Sequence, residues 1–438
     1  MLPARHCLSS LSWTLAVATS LAACVLDPKS TGELDDSDTA GSGGVSDTTP
    51  PVDGATSVAT DGDDEGYMSS EDDGSGVDDG PGEPPDVDCT DEACTTPAVP
   101  LWSTTFPTST HTWACDVAVD STGRIALAWL VEPNGGHPQG WTGIRLYDPS
   151  GVLIDEVDVE GEIFGALAFA SDDTLRVRGA TALGGNQYQE WARALDSSLQ
   201  PAWTQLYGQQ GGWGQCGWGS RGLAVSDVDQ VVTYEYICDE PYCPQSFVRR
   251  HAPDGALLWE QNPGGNPGAE KAPIALGSGQ SAFHGAVISW DDYDEVEIRK
   301  YAGNGTELWT TVILGEISGM WGAADGGVFA ATDDLYTGER RVHRLAPDGT
   351  YTWVSGPADG SVYRVAAPTS DELGLYALAQ DGLRRTSLSL QTQWTATIEY
   401  ASPGWASADA IRGDDLFVFA GSGSSGGNDV WLTVLAAP

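Results

Sequence analysis

The sequence predicts an all-β protein, a β-propeller of seven four-stranded blades closed by a strand from its own N-terminal side. Three observations carry that prediction. A tight turn leads into an outgoing strand seven times at intervals of roughly 50 residues, and in six of the seven that strand carries a tryptophan. The slots are Trp102, Asp155, Trp203, Trp259, Trp309, Trp353 and Trp394, separated by 53, 48, 56, 50, 44 and 41 residues. Such a period, holding four strand-like segments, is the mark of blades packed around an axis. The last unit also stops one strand short, while a spare strand stands ahead of the first.

The unit is clearest mid-chain, where Ala252-Pro253-Asp254-Gly255, Ala302-Gly303-Asn304-Gly305 and Ala346-Pro347-Asp348-Gly349 each place a glycine four residues before the tryptophan. Glycine reaches positive φ without a Cβ clash, so these turns join the third strand of a blade to its fourth. One unit keeps the turn as Asp148-Pro149-Ser150-Gly151 but has Asp155 in the tryptophan slot. Two others, around Ser197-Ser198 and Leu390-Gln391, keep the tryptophan and lose the glycine. Upstream of each turn lie three alternating runs, such as 274–276, 286–290 and 296–301, whose period of two and β-branched or aromatic content argue half-buried strands.

The final unit supplies 406–411, 416–420 and 430–435, and the chain ends at Pro438. Pairing Leu101-Trp102-Ser103-Thr104 beside that last run closes the ring and removes two exposed edges. Residues 99–438 are 340 residues, about 49 for each of seven blades.

Ahead of this domain, residues 1–23 read as an export signal: a short basic start (Arg5, His6), an apolar stretch from Leu11 to Ala22, and the box Leu21-Ala22-Ala23-Cys24. That box resembles a bacterial lipoprotein signal, with cleavage before Cys24 and a diacylglycerol on its thiol. The apolar run is too short and too interrupted for a membrane-spanning helix. Residues 24–98 read as a lipid-anchored, disordered acidic tether. Between Asp27 and Ala98 there are 21 acidic residues and one basic, Lys29, so the segment repels itself and cannot bury a core. Within it Asp61, Asp63, Glu65, Gly66 and Asp72 fall on calcium-loop positions, but no helical pattern flanks them and position 12 is not glutamate. No cofactor is expected; calcium is the one metal left open.

Removing the tether's −20 and Arg5 of the signal from the total of −43 leaves the propeller at −24. Nucleic acid is thereby a poor partner, since phosphate binding needs clustered Lys and Arg. After Cys7 leaves with the signal and Cys24 takes lipid, six cysteines remain for an oxidising compartment. Cys89 with Cys94, and Cys238 with Cys243, close short loops, which leaves Cys115 for Cys216. The spacing lacks the CxxC pairs of a zinc site.

Propeller topology puts the connections between blades on the same face as the loops joining second to third strands. Candidate binding residues on that face are Trp213 and Trp218, as a stacking platform for sugar or peptide, and the acidic clusters Asp291, Asp292, Asp294 and Asp333, Asp334. The opposing reading is packing for the tryptophans and solvated turn chemistry for the aspartates.

No catalytic residue is assigned, because the five remaining histidines share no motif, and neither a GxSxG elbow nor an HExxH helix is present. The Ala-Pro-Asp-Gly-x-x-x-Trp units and the run Asp116-Val117-Ala118-Val119-Asp120-Ser121-Thr122-Gly123 resemble the degenerate repeats of exported bacterial propellers of the PQQ-like, quinoprotein-type class. The resemblance implies the fold. It does not extend to the quinone cofactor, since no two cysteines are adjacent and the turn lacks Thr-Gly-Lys. The sequence thus reads first as a lipid-anchored envelope protein, in the outer membrane or at the cell surface, whose propeller is a non-enzymatic scaffold for an envelope protein or glycan. The alternative is a secreted polysaccharide hydrolase or lyase with channel carboxylates, Asp116 and Asp409 first among them.

Overall fold

The computed structural model describes residues 96–107, 112–131, 141–184, 187–211, 222–239, 242–263, 273–288, 295–334, 337–356, 362–379, 382–398, 406–413, 415–422 and 429–436. All belong to the compact unit Gly76–Pro438. The export signal and residues 24–95 of the acidic tether, with Cys24, Cys89 and Cys94, lie outside the described residues.

Seven separate four-stranded sheets make the ring. Blade 1 is β2 (Thr112–Val119), β3 (Ile125–Val131), β4 (Trp141–Tyr147) and β5 (Leu153–Glu160); blade 2 is β6 (Glu162–Phe169), β7 (Leu175–Gly184), β8 (Gln187–Leu195) and β9 (Pro201–Gly211). Blade 3 is β10 (Leu223–Val225), β11 (Val231–Asp239), β12 (Tyr242–His251) and β13 (Leu257–Gln261); blade 4 is β14 (Ile274–Leu276), β15 (Ala282–Val287), β16 (Glu295–Tyr301) and β17 (Glu307–Leu314). Blade 5 is β18 (Glu316–Gly322), β19 (Val328–Asp333), β20 (Arg340–Leu345) and β21 (Tyr351–Val354); blade 6 is β22 (Val362–Pro368), β23 (Gly374–Ala379), β24 (Gly382–Ser387) and β25 (Thr392–Ala396). Blade 7 takes β26 (Ala406–Arg412), β27 (Leu416–Ser422) and β28 (Asp429–Ala436) from the end of the chain, and β1 (Val99–Pro107) from ahead of blade 1.

β1 and β28 are antiparallel, with Trp102 opposite Val434. The closing strand is longer than the four residues expected from sequence, and it seals the sheet edge that β28 would otherwise expose.

The tryptophans act between blades, not within their own repeat. The Trp102 indole donates to Pro149 O of blade 1 at 2.9 Å, Trp203 to Pro253 O of blade 3 at 2.8 Å, Trp259 to Gly303 O of blade 4 at 2.9 Å, and Trp309 to Pro347 O of blade 5 at 2.8 Å. Each indole lies flat on the turn glycine of the next blade, where φ is 85–87° at Gly151, Gly255, Gly305 and Gly349 and an added Cβ would come within 2.7–2.8 Å of the ring. Glycine is therefore required twice over, for the backbone angle and for the close approach. This accounts for the irregular repeats. Asp155, the slot without tryptophan, precedes the blade 2 turn, which has Leu199 in place of glycine. Trp353 precedes the blade 6 turn, where it packs on Leu388 and Leu390 instead. Trp394 faces blade 7, whose third and fourth strands come from opposite chain ends and share no turn, and it is buried with Ala98, Phe417 and Leu435.

A second set of bonds joins the turns between first and second strands. Arg412 of blade 7 donates to Ser121 O of blade 1 at 3.3 Å, Arg124 of blade 1 to Asp173 O of blade 2 at 3.2 Å, and Lys300 of blade 4 to Gly326 O of blade 5 at 2.7 Å. Arg250 of blade 3 donates to Gln280 O of blade 4, and Arg344 of blade 5 lies 3.9 Å from Glu372 of blade 6. In a strongly acidic protein, a large share of the few cations are used as bolts between blades. Four of the five reach backbone carbonyls, of which Gly326 O is taken in a buried bond, and the fifth reaches a carboxylate.

Candidate functional site

The first strand of each blade lines the axis. In blades 1, 2, 5, 6 and 7 that strand has a β-bulge at one level, and the residue directly after it is Asp116, Ala166, Gly319, Arg364 and Ala408 respectively. Bulges re-aim side chains and are common beside functional sites. At this level only blades 1 and 6 carry charge, and they flank blade 7. The next residue along each first strand is apolar in six blades: Val117, Leu167, Leu223, Ile274, Met320 and Val365. In blade 7 it is Asp409, opposite Phe419. A carboxylate thus stands where the repeat calls for a buried aliphatic side chain.

These departures meet. Arg364 reaches forward from blade 6 to form an ion pair with Asp409 of blade 7. Asp116 Oδ2 accepts from the Leu167 amide of blade 2 at 2.7 Å and feels the Asp409 charge on its other side. The order Arg364, Asp409, Asp116, Leu167 N–H spans blades 6, 7, 1 and 2. Burial pushes the Asp116 carboxyl up to about 8, helped by the negative charge of Asp409 and opposed by the Leu167 and Val117 amides and by Arg364. Burial also raises Asp409, against the pull of Arg364. Both aspartates sit on first strands, and the Asp409 side chain is 7% exposed.

Above Asp116 towards the turn, Ala118, Ala168, Ala224 and Ala275 share one level of the first strands. In blade 5 Trp321 holds the equivalent place.

The candidate residues from sequence fare unequally. Trp213, Trp218, Asp291, Asp292 and Asp294 lie outside the described residues, as does Cys216. Asp333 pairs with Arg340 at 3.1 Å, and Asp334 caps its own hairpin by accepting from the Thr337 amide at 3.0 Å, so both serve the turn. Cys115 is the bulge residue before Asp116 and is fully buried. Cys238 and Cys243 were expected in a loop, but they sit in β11 and β12, flanking the paired positions Asp239 and Tyr242 of a two-residue connection. Among the described residues no group of three or more His, Cys, Asp or Glu could hold a metal, and no helix is long and apolar enough to cross a membrane.

No protein-family model and no curated protein matches the chain. Solved structures that resemble it include the Dos1 propeller, at 11% identity over 77% of this chain and 94% of that one, with a TM-score of 0.40. The β-propeller domain of the Trilobed protease from Pyrococcus furiosus matches at 8% identity, 72% and 92% coverage, and a TM-score of 0.45. Sqt1 from Chaetomium thermophilum matches at 13% identity, 75% and 96% coverage, and a TM-score of 0.44. At these identities the likeness is one of architecture.

Proposed function

We propose that this protein is a binding scaffold of the bacterial cell envelope: an acyl chain on Cys24, an acidic tether, and a rigid propeller that presents its loop-bearing face to an envelope protein or glycan. The observation that carries the reading is the use made of the channel charges. Asp409 is bound by Arg364 and Asp116 by the Leu167 amide, so the most unusual polar groups of the first strands hold blades together. A rigid ring with variable loops is a common platform for recognition. Disulfides Cys89–Cys94, Cys238–Cys243 and Cys115–Cys216 would stiffen the tether end and that face. A calcium ion among the loop aspartates belongs to the same proposal.

The test is a glycan array and an envelope pull-down with the full chain, with and without calcium. Saturable binding that Trp213→Ala and Trp218→Ala abolish is the expected result, and Cys24→Ser should release the protein from membranes. One observation favours the second reading, a polysaccharide hydrolase or lyase. A carboxyl that keeps its proton at neutral pH beside a second carboxylate is a pairing seen in glycoside hydrolysis. Polysaccharide cleavage lost in both Asp116→Asn and Asp409→Asn would establish it and overturn the scaffold.

A further inference from the structure

The turn between β16 and β17 places a chemically labile dipeptide where the fold has closed over it. Asn304-Gly305 is one of two Asn-Gly pairs in the chain, and the other, Asn134-Gly135, lies outside the described residues. Asparagine before glycine is prone to cyclise, because glycine has no side chain to shield its nitrogen from the carboxamide carbon. Asn304 is exposed, whereas Gly305 is buried beneath Trp259 of blade 3. The turn is tied down against cyclisation. The Gly305 N–H, whose proton must leave before the nitrogen attacks, donates to Ala302 O at 2.9 Å. Asn304 Oδ1 accepts from the Thr306 amide at 3.1 Å, which fixes the carboxamide in the turn. The indole lies over Gly305, where an added Cβ would come within 2.8 Å of it, and donates to Gly303 O at 2.9 Å. So close a fit leaves no room for the ring that Asn304 and Gly305 would form.

We propose that Asn304 is a self-modification site gated by the junction of blades 3 and 4, where deamidation proceeds only after the Trp259 indole lifts from Gly305.

In the opened turn, hydroxide takes the Gly305 amide proton, the nitrogen bonds to Asn304 Cγ, and the carboxamide nitrogen leaves as ammonia after taking a proton from water. Water then opens the succinimide. Breaking the new Cγ–N bond leaves aspartate, whereas breaking the original peptide C–N bond leaves isoaspartate, whose main chain runs through the side-chain methylene. The two products differ in fate. Aspartate already stands at this place in blades 3 and 5, where Asp254 accepts from the Ala256 amide at 3.1 Å and Asp348 from the Thr350 amide at 3.1 Å, the bond Asn304 makes to Thr306. The junction therefore closes over aspartate as before. Isoaspartate lengthens the turn by a backbone atom, so Gly305 cannot return beneath the indole and blades 3 and 4 stay parted there.

Peptide mass spectrometry on the full chain, aged in mildly alkaline buffer, tests the gate. Wild-type Asn304 should deamidate at least about a hundredfold more slowly than in the denatured chain, and the slowing should match that of Gly305 amide exchange within about tenfold. Trp259→Ala should speed the native reaction at least about tenfold, whereas Trp102→Ala, which removes the matching weld between blades 7 and 1, should leave it at the wild-type rate. Asn304→Asp should keep wild-type protection of the Gly305 amide, and the isoaspartate fraction of aged protein should lose it. Equal rates in folded and denatured chains, equal acceleration by both tryptophan variants, or isoaspartate protein with Gly305 still protected would overturn the proposal. Should either tryptophan variant fail to fold, the wild type decides alone: agreement between deamidation and Gly305 exchange supports the gate, and a mismatch beyond about tenfold refutes it.

Discussion

Trp309 shows how a single side chain welds two repeats. Its ring covers Gly349, its N–H satisfies Pro347 O, and the neighbouring Thr311 hydroxyl donates to Gly349 O at 2.7 Å. Trp309→Ala removes ring and donor together and should cost about 3–5 kcal/mol, read from denaturant melts. Gly349→Ala should be destabilising without any loss of atoms, because both the 87° φ and the indole exclude a methyl group. A different kind of residue is His284, stacked on Tyr234 with ring centroids 4.6 Å apart and with neither nitrogen partnered among the described residues. Burial, aided by the Arg299 charge, pushes the imidazole down to about 3. His284→Phe keeps the ring and removes the titration, so relative to wild type it should gain stability on going from pH 7 to pH 5, by up to about tenfold in the unfolding constant per unit below pH 6.5. Equal melts at pH 5 would contradict this.

At the level of strands and turns, the docking rule predicts coupling between elements distant in sequence. Asp155 and Leu199 occupy the slots that hold tryptophan and glycine at four other junctions. Asp155→Trp alone should be destabilising, because an indole laid on that turn meets the leucine side chain, and Leu199→Gly alone should lose a buried leucine from the blade 1 and 2 core. The double variant should be more stable than the two single changes sum to, by at least about 1 kcal/mol in a double-mutant cycle. Additivity would mean the docking rule does not transfer. The strands, the turns and the closure by β1 were legible from the period of two, the turn glycines and the missing final strand, because those signals are local. What was hidden is what acts between blades. Reading tryptophan and glycine within one repeat makes Asp155 and Leu199 look like separate defects, whereas across the junction they are one substitution. Lys300 and Arg344 look like surface residues on alternating strands, since only the ring shows the turn they reach. Asp116 and Asp409 could be singled out as acids near first strands. Their meeting required the register, and an alignment of the seven first strands would have shown Asp409 in a column of Val, Leu, Ile and Met.

For the whole molecule, closure and proton balance set the stability. Deleting residues 99–107 leaves β28 as an open edge and strips Trp102 from the blade 1 turn, so calorimetry should show loss of a single cooperative transition and sedimentation should show association. The pH dependence follows from histidines and aspartates of opposite habit, the aspartates being Asp116 and Asp409. His284 is held near 3, and His251 and His343 near 4, all by burial; His251 accepts from Tyr207 at 2.9 Å and His343 bonds Thr332 at 2.9 Å. A histidine lowered in the folded state favours unfolding once pH drops below its unfolded value of 6.5, whereas Asp116, raised to about 8, favours unfolding as pH climbs above 3.8. Between roughly pH 4.5 and 6, three protons bound preferentially by the unfolded chain oppose the one on Asp116 and the pull of the raised Asp409, so stability should rise by about 2.7 kcal/mol per unit at most. From about 6.5 to 8 Asp116 alone makes stability fall by about 1.4 kcal/mol per unit, and Asp409, also raised by burial, acts in the same direction. The maximum therefore lies near pH 6.5, and Asp116→Asn should make the alkaline limb shallower and the acid limb steeper. Denaturant melts across pH 4.5–9 measure both limbs, and a maximum displaced above pH 8 would show that Asp116 does not carry its proton in the folded ring.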